Sequence, residues 1–199
     1  MAKFEIAYEP VRGYEGGYSN DKNDRGGETY CGIARNFFPS WPGWQIVDRE
    51  KNIAGGNVAQ MKRALEHTSI NSFVDAWYKT EWWDKLGLEK LPQELANEIF
   101  EQSVNLGKAG CGKKVQQVCN AYNYVGGAKI FDDLTLDGII GPKTLAALAK
   151  IIDKNKANPG NLVHALNCMQ GSHYIELACK TFSQRTFTVG WMKRTHCES

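Results

Sequence analysis

The chain has 199 residues, 42% of them hydrophobic and 23% charged, with a formal net charge of +2. That length suits one domain or two small ones with ample core; the composition excludes a disordered chain, and the small charge gives no footprint for nucleic acid. No apolar run reaches membrane-spanning length, and the opening MAKFEIAYEP lacks the apolar core of a signal peptide.

The first helix is predicted from about Phe4 to Tyr14, with Gly16 and Gly17 as its stop signal. Glu15 stands at its end, and EGGYSNDKNDRGGETYCG over residues 15–32 is expected to return as a small β-hairpin near residues 18–35. That loop brings Asp24 and Thr29 opposite Glu15. Two carboxylates and a hydroxyl around one cleft are the equipment of glycoside hydrolysis. An acid protonates the leaving oxygen and, in inverting enzymes, a second carboxylate activates water on the other face of the ring. Burial against Tyr14 and Tyr18 would raise the proton affinity of Glu15, whereas Lys22, Asn23 and Arg25 favour the charged form of Asp24. The same run also reads simply as a polar turn. It begins like a calcium loop at Asp21, but Arg25 takes a ligand position and Gly32 replaces the closing Glu, so calcium is not expected.

Residues 36–56 mix aromatics with Pro and Gly and predict an irregular connection with a short helix. Trp41 and Trp44 within it are either a platform for a sugar ring or a plug at the edge of a small core. Val58, Met61, Ala64 and Leu65 recur at helical spacing over residues 57–67, and Phe73, Trp77, Tyr78, Glu81 and Trp82 do so over Ile70 to Leu86. A further helix is predicted over Pro92 to Asn105, with Leu95, Ala96, Ile99, Phe100 and Val104 on one side. Asn105 beside Gly107 is either a helix cap or a residue facing the cleft.

GKAGCGKK over residues 107–114 nearly spells a phosphate loop, but Lys114 stands where Ser or Thr must meet magnesium, and a helix precedes it instead of a strand. Nucleotide binding is not expected. A helix from about Lys113 to Tyr122 should turn Val115, Val118 and Cys119 inward. Asp137 to Thr144 reads as a turn with Pro142 opening the next helix, and a long helix is predicted over Leu162 to Phe182. Phe187 and Trp191 are expected to pack back on the body, with Lys193 and Arg194 either solvated or set against carboxylates of a partner. The six cysteines form no CxxC pair and His164 and His173 are not spaced as paired ligands, so no metal or other cofactor is predicted. The cysteines are read as mostly buried thiols, with Cys197 in the polar tail exposed.

Glu15-Gly16-Gly17-Tyr18, Asn20-Asp21, Asp24, Gly26-Gly27, Thr29 and Gly32-Ile33 together resemble the signature of the glycoside hydrolase family 108 lysozymes, the N-acetylmuramidases of phages and bacteria. The likeness continues in Val104 to Gly107, in Asp137 to Thr144 and in Gly190 to Arg194, so it spans nearly the whole chain. The resemblance implies that Glu15 is the essential acid and that the Asp137 to Thr144 stretch belongs to a predicted wall-binding region. The Glu, Asp, Thr order is also similar to phage lysozymes, with Thr29 one position closer, and leaves either Asp21 or Asp24 to hold the water.

The expected architecture is mainly α, lysozyme-like, with the small hairpin. Residues 1–105 form the catalytic region, and residues 106–199 form a helical, predicted peptidoglycan-binding region packed closely on it. The expected reaction is hydrolysis of the β-1,4 bond between N-acetylmuramic acid and N-acetylglucosamine. Glu15, Asp24 and Thr29 are the catalytic candidates, and Tyr18, Asp21 and Asn105 the substrate-binding ones. The partner is peptidoglycan glycan, the chain a monomer made in the cytoplasm and acting at the cell wall after export or release. A lytic transglycosylase and a non-catalytic wall-binding or secretion-assisting protein are the alternatives.

Overall fold

The computed structural model describes residues 1–12, 17–21, 26–154 and 158–195. These residues are mainly helical with one small three-stranded antiparallel sheet, the fold class the sequence predicts. They group into two compact units, Glu9–Glu81 and Met1–Tyr8 with Trp82–Ser199. Helix α1 (Phe4–Arg12) begins in the second of these and ends in the first. Its expected continuation to Tyr14 and the glycine stop at Gly16 lie outside the described residues.

In the unit Glu9–Glu81, strands β1 (Tyr18–Ser19), β2 (Thr29–Tyr30) and β3 (Ile33–Ala34) pair in chain order. Tyr18 faces Tyr30 and Ser19 faces Thr29 across the first pair. Cross-strand partners share a face of the pleat, so the two tyrosines are together on one side and Ser19 with Thr29 on the other. The β2–β3 turn is Cys31-Gly32, with φ of +44° and +75°, the two left-handed residues that match the twist of a two-residue hairpin. Tyr78 fastens this turn by donating to the Cys31 carbonyl at 3.2 Å.

Residues 36–56 contain more order than expected. Helix α2 (Gly43–Ile53) makes three turns and buries Trp44 and Val47. Trp41 lies so closely over Gly43 that a β-carbon there would stand 2.1 Å from its ring. It meets Trp44 edge-on at 5.1 Å and stacks near Tyr30 at 6.3 Å. With 6% and 3% exposure, Trp41 and Trp44 are core, and the sugar-platform alternative is set aside. Asn57 caps α3 (Val58–Glu66) by accepting from Gln60 N, and α4 (Ile70–Tyr78) follows.

The helix expected to run unbroken to Leu86 changes type at Lys79, where a π-helical stretch covers Lys79–Asp84. The Thr80 hydroxyl takes the carbonyls of Ala76 and Trp77 at 2.9 and 3.3 Å, and such side-chain bonds compete with the ordinary helical ladder. The phase slips, and Trp83 rather than Trp82 is the buried indole, at 2% exposure.

In the other unit, α5 (Gln93–Leu106), α6 (Lys108–Ala121), α7 (Pro142–Lys154) and α8 (Pro159–Lys180) form the body. Phe4 and Phe100 pack edge-on at 5.8 Å, and Trp83 meets Phe100 at 5.9 Å. Helix α6 starts at Lys108, not Lys113, so the stretch resembling a phosphate loop is itself helical. Val115, Val118 and Cys119 face inward as expected. Polar side chains of α6 and of Asn123 just beyond it zip up the irregular segment before α7. Asn123 accepts from Ile130 N and Phe131 N, Asn120 holds both polar backbone groups of Leu134, and Gln116 accepts from Gly138 N and donates to Asp137. Asp137 also caps Ile139 N, and Thr144 donates to the Ile139 carbonyl. Every polar group named in the Asp137 to Thr144 motif thus has an architectural partner. After α8, a 3-10 stretch (Phe182–Phe187) leads into α9 (Thr188–Met192). Trp191 stacks on Tyr174 at 5.3 Å as the sequence predicts, while Phe187 touches Trp191 but stays 53% exposed. Arg194 pairs with Glu101 at 3.4 Å instead of standing free.

The cysteine expectation holds in part. Cys111 and Cys119 are buried thiols and Cys31 is half-buried, but Cys168 and Cys179 are exposed on α8. That helix exposes Ile175 and buries Asn167 and Gln170, so apolar spacing gave no cue to its facing. Cys197 lies outside the described residues.

Candidate active site

Of the expected site residues, Tyr18, Asp21, Thr29 and Asn105 are described, whereas Glu15 and Asp24 lie outside the described residues. Tyr18 and Asp21 meet on one groove of about 540 Å³, with Asn20, Lys51, Asn57 and Lys62 among its lining. The groove runs between the outer edge of β1 and the junction of α2 with α3. Its polar walls come from the strand and the helix ends, and its floor from Val58 and Met61. Thr29 is not part of that lining. Its hydroxyl donates to the Gly27 carbonyl at 3.1 Å, which leaves the oxygen lone pairs able to accept a proton from water.

Asn105 belongs to the other unit. It sits within α5, and its side-chain amide donates to the Tyr174 hydroxyl of α8. Gly107, at φ +77°, ends the helix instead. The capping role is therefore not the one its side chain plays.

A residue that the sequence did not single out organises the hairpin. Glu28, whose side chain is 10% exposed, accepts from Tyr18 Oη at 2.6 Å and from Lys51 Nζ at 2.8 Å on the same oxygen. Arg35 Nε lies 2.9 Å from the other oxygen, but its N–H does not point along that line, so this contact is a charge pairing rather than a hydrogen bond. Arg35 in turn grips Asp48 of α2 with both terminal nitrogens, at 2.7 and 3.2 Å, and lies over the Trp44 ring at 4.4 Å. One carboxylate thereby ties β1, α2 and the residue that follows β3 together. Burial alone would raise its pKa, but hydrogen bonds from Lys51 and Tyr18 and the charge of Arg35 outweigh that and hold it below the ordinary carboxylate value. Burial and the Glu28 bond push the Tyr18 phenol up, and the same bond raises Lys51. Glu28 is ionised and fully engaged, and so not available as a base. Its sequence neighbours are Gly27 and Thr29; its cations come from Arg35 and Lys51, too distant in the chain for a local pattern to reveal.

Among the described residues, no group of three or more His, Cys, Asp or Glu side chains is arranged to hold a metal ion. No helix among them is long and apolar enough to cross a membrane.

The chain belongs to the glycosyl hydrolase 108 family, whose model matches residues 8–107, and a predicted peptidoglycan domain matches residues 114–196. It is thus a glycoside hydrolase of lysozyme-like, peptidoglycan-directed type. Eight solved chains match it. One, the structure of Brucella abortus SagA, is 23% identical with a TM-score of 0.54, covering 96% of this chain and 88% of that one. At that identity the likeness is one of fold. No curated protein gives a match.

Proposed function

We propose that the chain is an N-acetylmuramidase, hydrolysing the β-1,4 bond between N-acetylmuramic acid and N-acetylglucosamine. Glu15 protonates the leaving oxygen, Asp24 or Asp21 activates water on the opposite face, and Thr29 helps to place that water. Tyr18 and Asn105 line subsites. Residues 1–105 carry the chemistry and residues 106–199 contact the wall, where the protein acts after export or release.

The observation that carries this reading is the groove beside the hairpin, lined by Tyr18, Asp21 and Lys51, with Tyr18 and Lys51 held by one Glu28 oxygen. A few placed polar groups beside apolar lining are what orient a ligand in such a groove, and hydroxyl, carboxylate and ammonium groups can hydrogen-bond a sugar's hydroxyls. Thr29, donating to a backbone carbonyl, presents its lone pairs as a water-placing hydroxyl requires. Release of soluble fragments from purified peptidoglycan tests the proposal. Wild type is expected to release them and Glu15→Gln to release none while keeping its fold; equal release by both would refute the role of Glu15.

A further inference from the structure

Glu28 is costly to bury and does no chemistry of its own, so its place calls for a reason. A carboxylate shut away from water persists only when its neighbours repay the lost hydration. Here three groups do so: Tyr18 Oη at 2.6 Å, Lys51 Nζ at 2.8 Å and the Arg35 guanidinium at 2.9 Å. Two of these, Tyr18 and Lys51, line the groove, while Glu28 and Arg35 do not. Their common acceptor oxygen sets the separation of the phenol and the ammonium, which come from β1 and α2. The backbone repeats the tie, since Arg35 N donates to the Glu28 carbonyl at 2.8 Å and Asn36 N to the Gly26 carbonyl at 3.2 Å. Asp48 closes the other side of Arg35, so the guanidinium cannot swing away from Glu28 without breaking a two-bond grip.

We propose that Glu28 is a positioning residue for glycan binding: its carboxylate fixes Tyr18 and Lys51 at the spacing in which the groove receives a sugar. This rests on the reading of the groove as part of the glycan site. Glu28 itself touches no substrate and acts through those two side chains. Glutamine at this position keeps the shape but offers a neutral oxygen to two donors, removes the carboxylate that pairs with Lys51 and leaves Arg35 with Asp48 alone. Aspartate keeps the charge and gives up one methylene of reach.

The test uses the full-length protein with soluble glycan strands as substrate. It compares wild type, Glu28→Gln, Glu28→Asp and Arg35→Met for kcat, KM and thermal midpoint. Tyr18 is titrated by NMR on protein with labelled tyrosine, and its signal is assigned by its loss in Tyr18→Phe. Glu28→Gln is expected to raise KM about tenfold with kcat little changed, the pattern of lost uniform binding, and to lower the Tyr18 titration midpoint as the anionic acceptor disappears. Glu28→Asp should recover most of the KM. Arg35→Met, remote from the groove, should raise KM in the same direction by a smaller factor, and it answers the question even where Glu28→Gln does not fold. An unchanged KM in Glu28→Gln despite a shifted Tyr18 titration overturns the proposal and leaves the muramidase reading standing. Equal loss of activity and thermal midpoint in the Gln and Asp variants marks a structural role only and overturns it too. Wild type without turnover of the glycan fails the muramidase reading itself, and the proposal with it.

Discussion

Gly112 of α6 and Gly138 of the turn before α7 meet backbone to backbone. A β-carbon on Gly112 would stand 2.0 Å from the Gly138 carbonyl oxygen, and one on Gly138 would stand 2.7 Å from that of Ala109. Gly138 also holds φ at +80°, where other residues are strained. The turn can lie flat on α6 only because neither partner has a side chain. Gly112→Ala should therefore destabilise the protein by about 1–3 kcal/mol, the usual cost of overpacking. Gly110→Ala, two residues away with only the Leu106 β-carbon at 3.5 Å, should be neutral or gain up to about 1 kcal/mol from helix propensity. Chemical denaturation of the two variants checks the contrast.

The α5–α8 seam sets a pH dependence of stability. Glu98 accepts from Gln102 at 2.6 Å, Glu101 accepts from Gln170 at 3.0 Å, and Asn105 meets Tyr174 one turn further on. Burial, with the charge of Glu101 adding to it, pushes Glu98 up to about 7, although bonds from Gln102 and Asn167 oppose the rise. A carboxyl whose folded pKa lies above its unfolded value favours the folded state fully below the unfolded pKa. That advantage is lost as pH rises through the folded value. Stability should accordingly fall between about pH 4.5 and 7 from this group. Glu98→Gln should flatten that fall and stabilise the protein at pH 8 by on the order of 1–3 kcal/mol. Unfolding curves at pH 5, 6.5 and 8 measure it.

The family match that ends at residue 107 does not mark an independent folding unit. Helix α5 lies inside that match, yet it packs in one compact unit with α6 and α8. Its Gln102 and Ser103 are fully buried. A chain cut after Gly107 exposes this face and strips Glu101 of both Gln170 and Arg194. It should lose cooperative thermal unfolding, as followed by circular dichroism; a sharp transition in the fragment would refute this.

The cysteines should separate cleanly by reactivity. Burial pushes the Cys111 and Cys119 thiols up to about 12, and Cys168 and Cys179 are exposed. Only the thiolate reacts readily. Mass spectrometry after brief alkylation of the folded protein should find label at Cys168 and Cys179 and none at Cys111 or Cys119.

Much of this architecture was legible where local signals agree. The spacing of Val58, Met61, Ala64 and Leu65, Pro142 opening α7 and the apolar stripe through Leu95, Ile99 and Phe100 all announce helices by periodicity or start signal, and the Cys31-Gly32 turn lies in the hairpin the sequence predicts. The failures have physical causes. The π-helical stretch at Lys79–Asp84 changes the phase of a helix that apolar spacing reads as continuous, so Trp83 is buried in place of Trp82. Gly110 and Gly112 weaken the helical signal of residues 108–112, yet both lie in α6, and Gly112 is a glycine because it must admit the Gly138 carbonyl. Glu28, the hub of the groove wall, has every charged partner seven or more positions away in sequence. Motif order points to Glu15, Asp24 and Thr29, whereas only tertiary contact reveals what holds the strands that carry Tyr18 and Thr29.

The central claim is best tested by mass spectrometry of the fragments released from purified peptidoglycan, with their ends identified, for wild type beside Glu15→Gln. Hydrolysis with Glu15 as the acid predicts reducing N-acetylmuramic acid ends from wild type and none from the variant. Anhydro ends from wild type, or reducing ends made equally by Glu15→Gln, would contradict it.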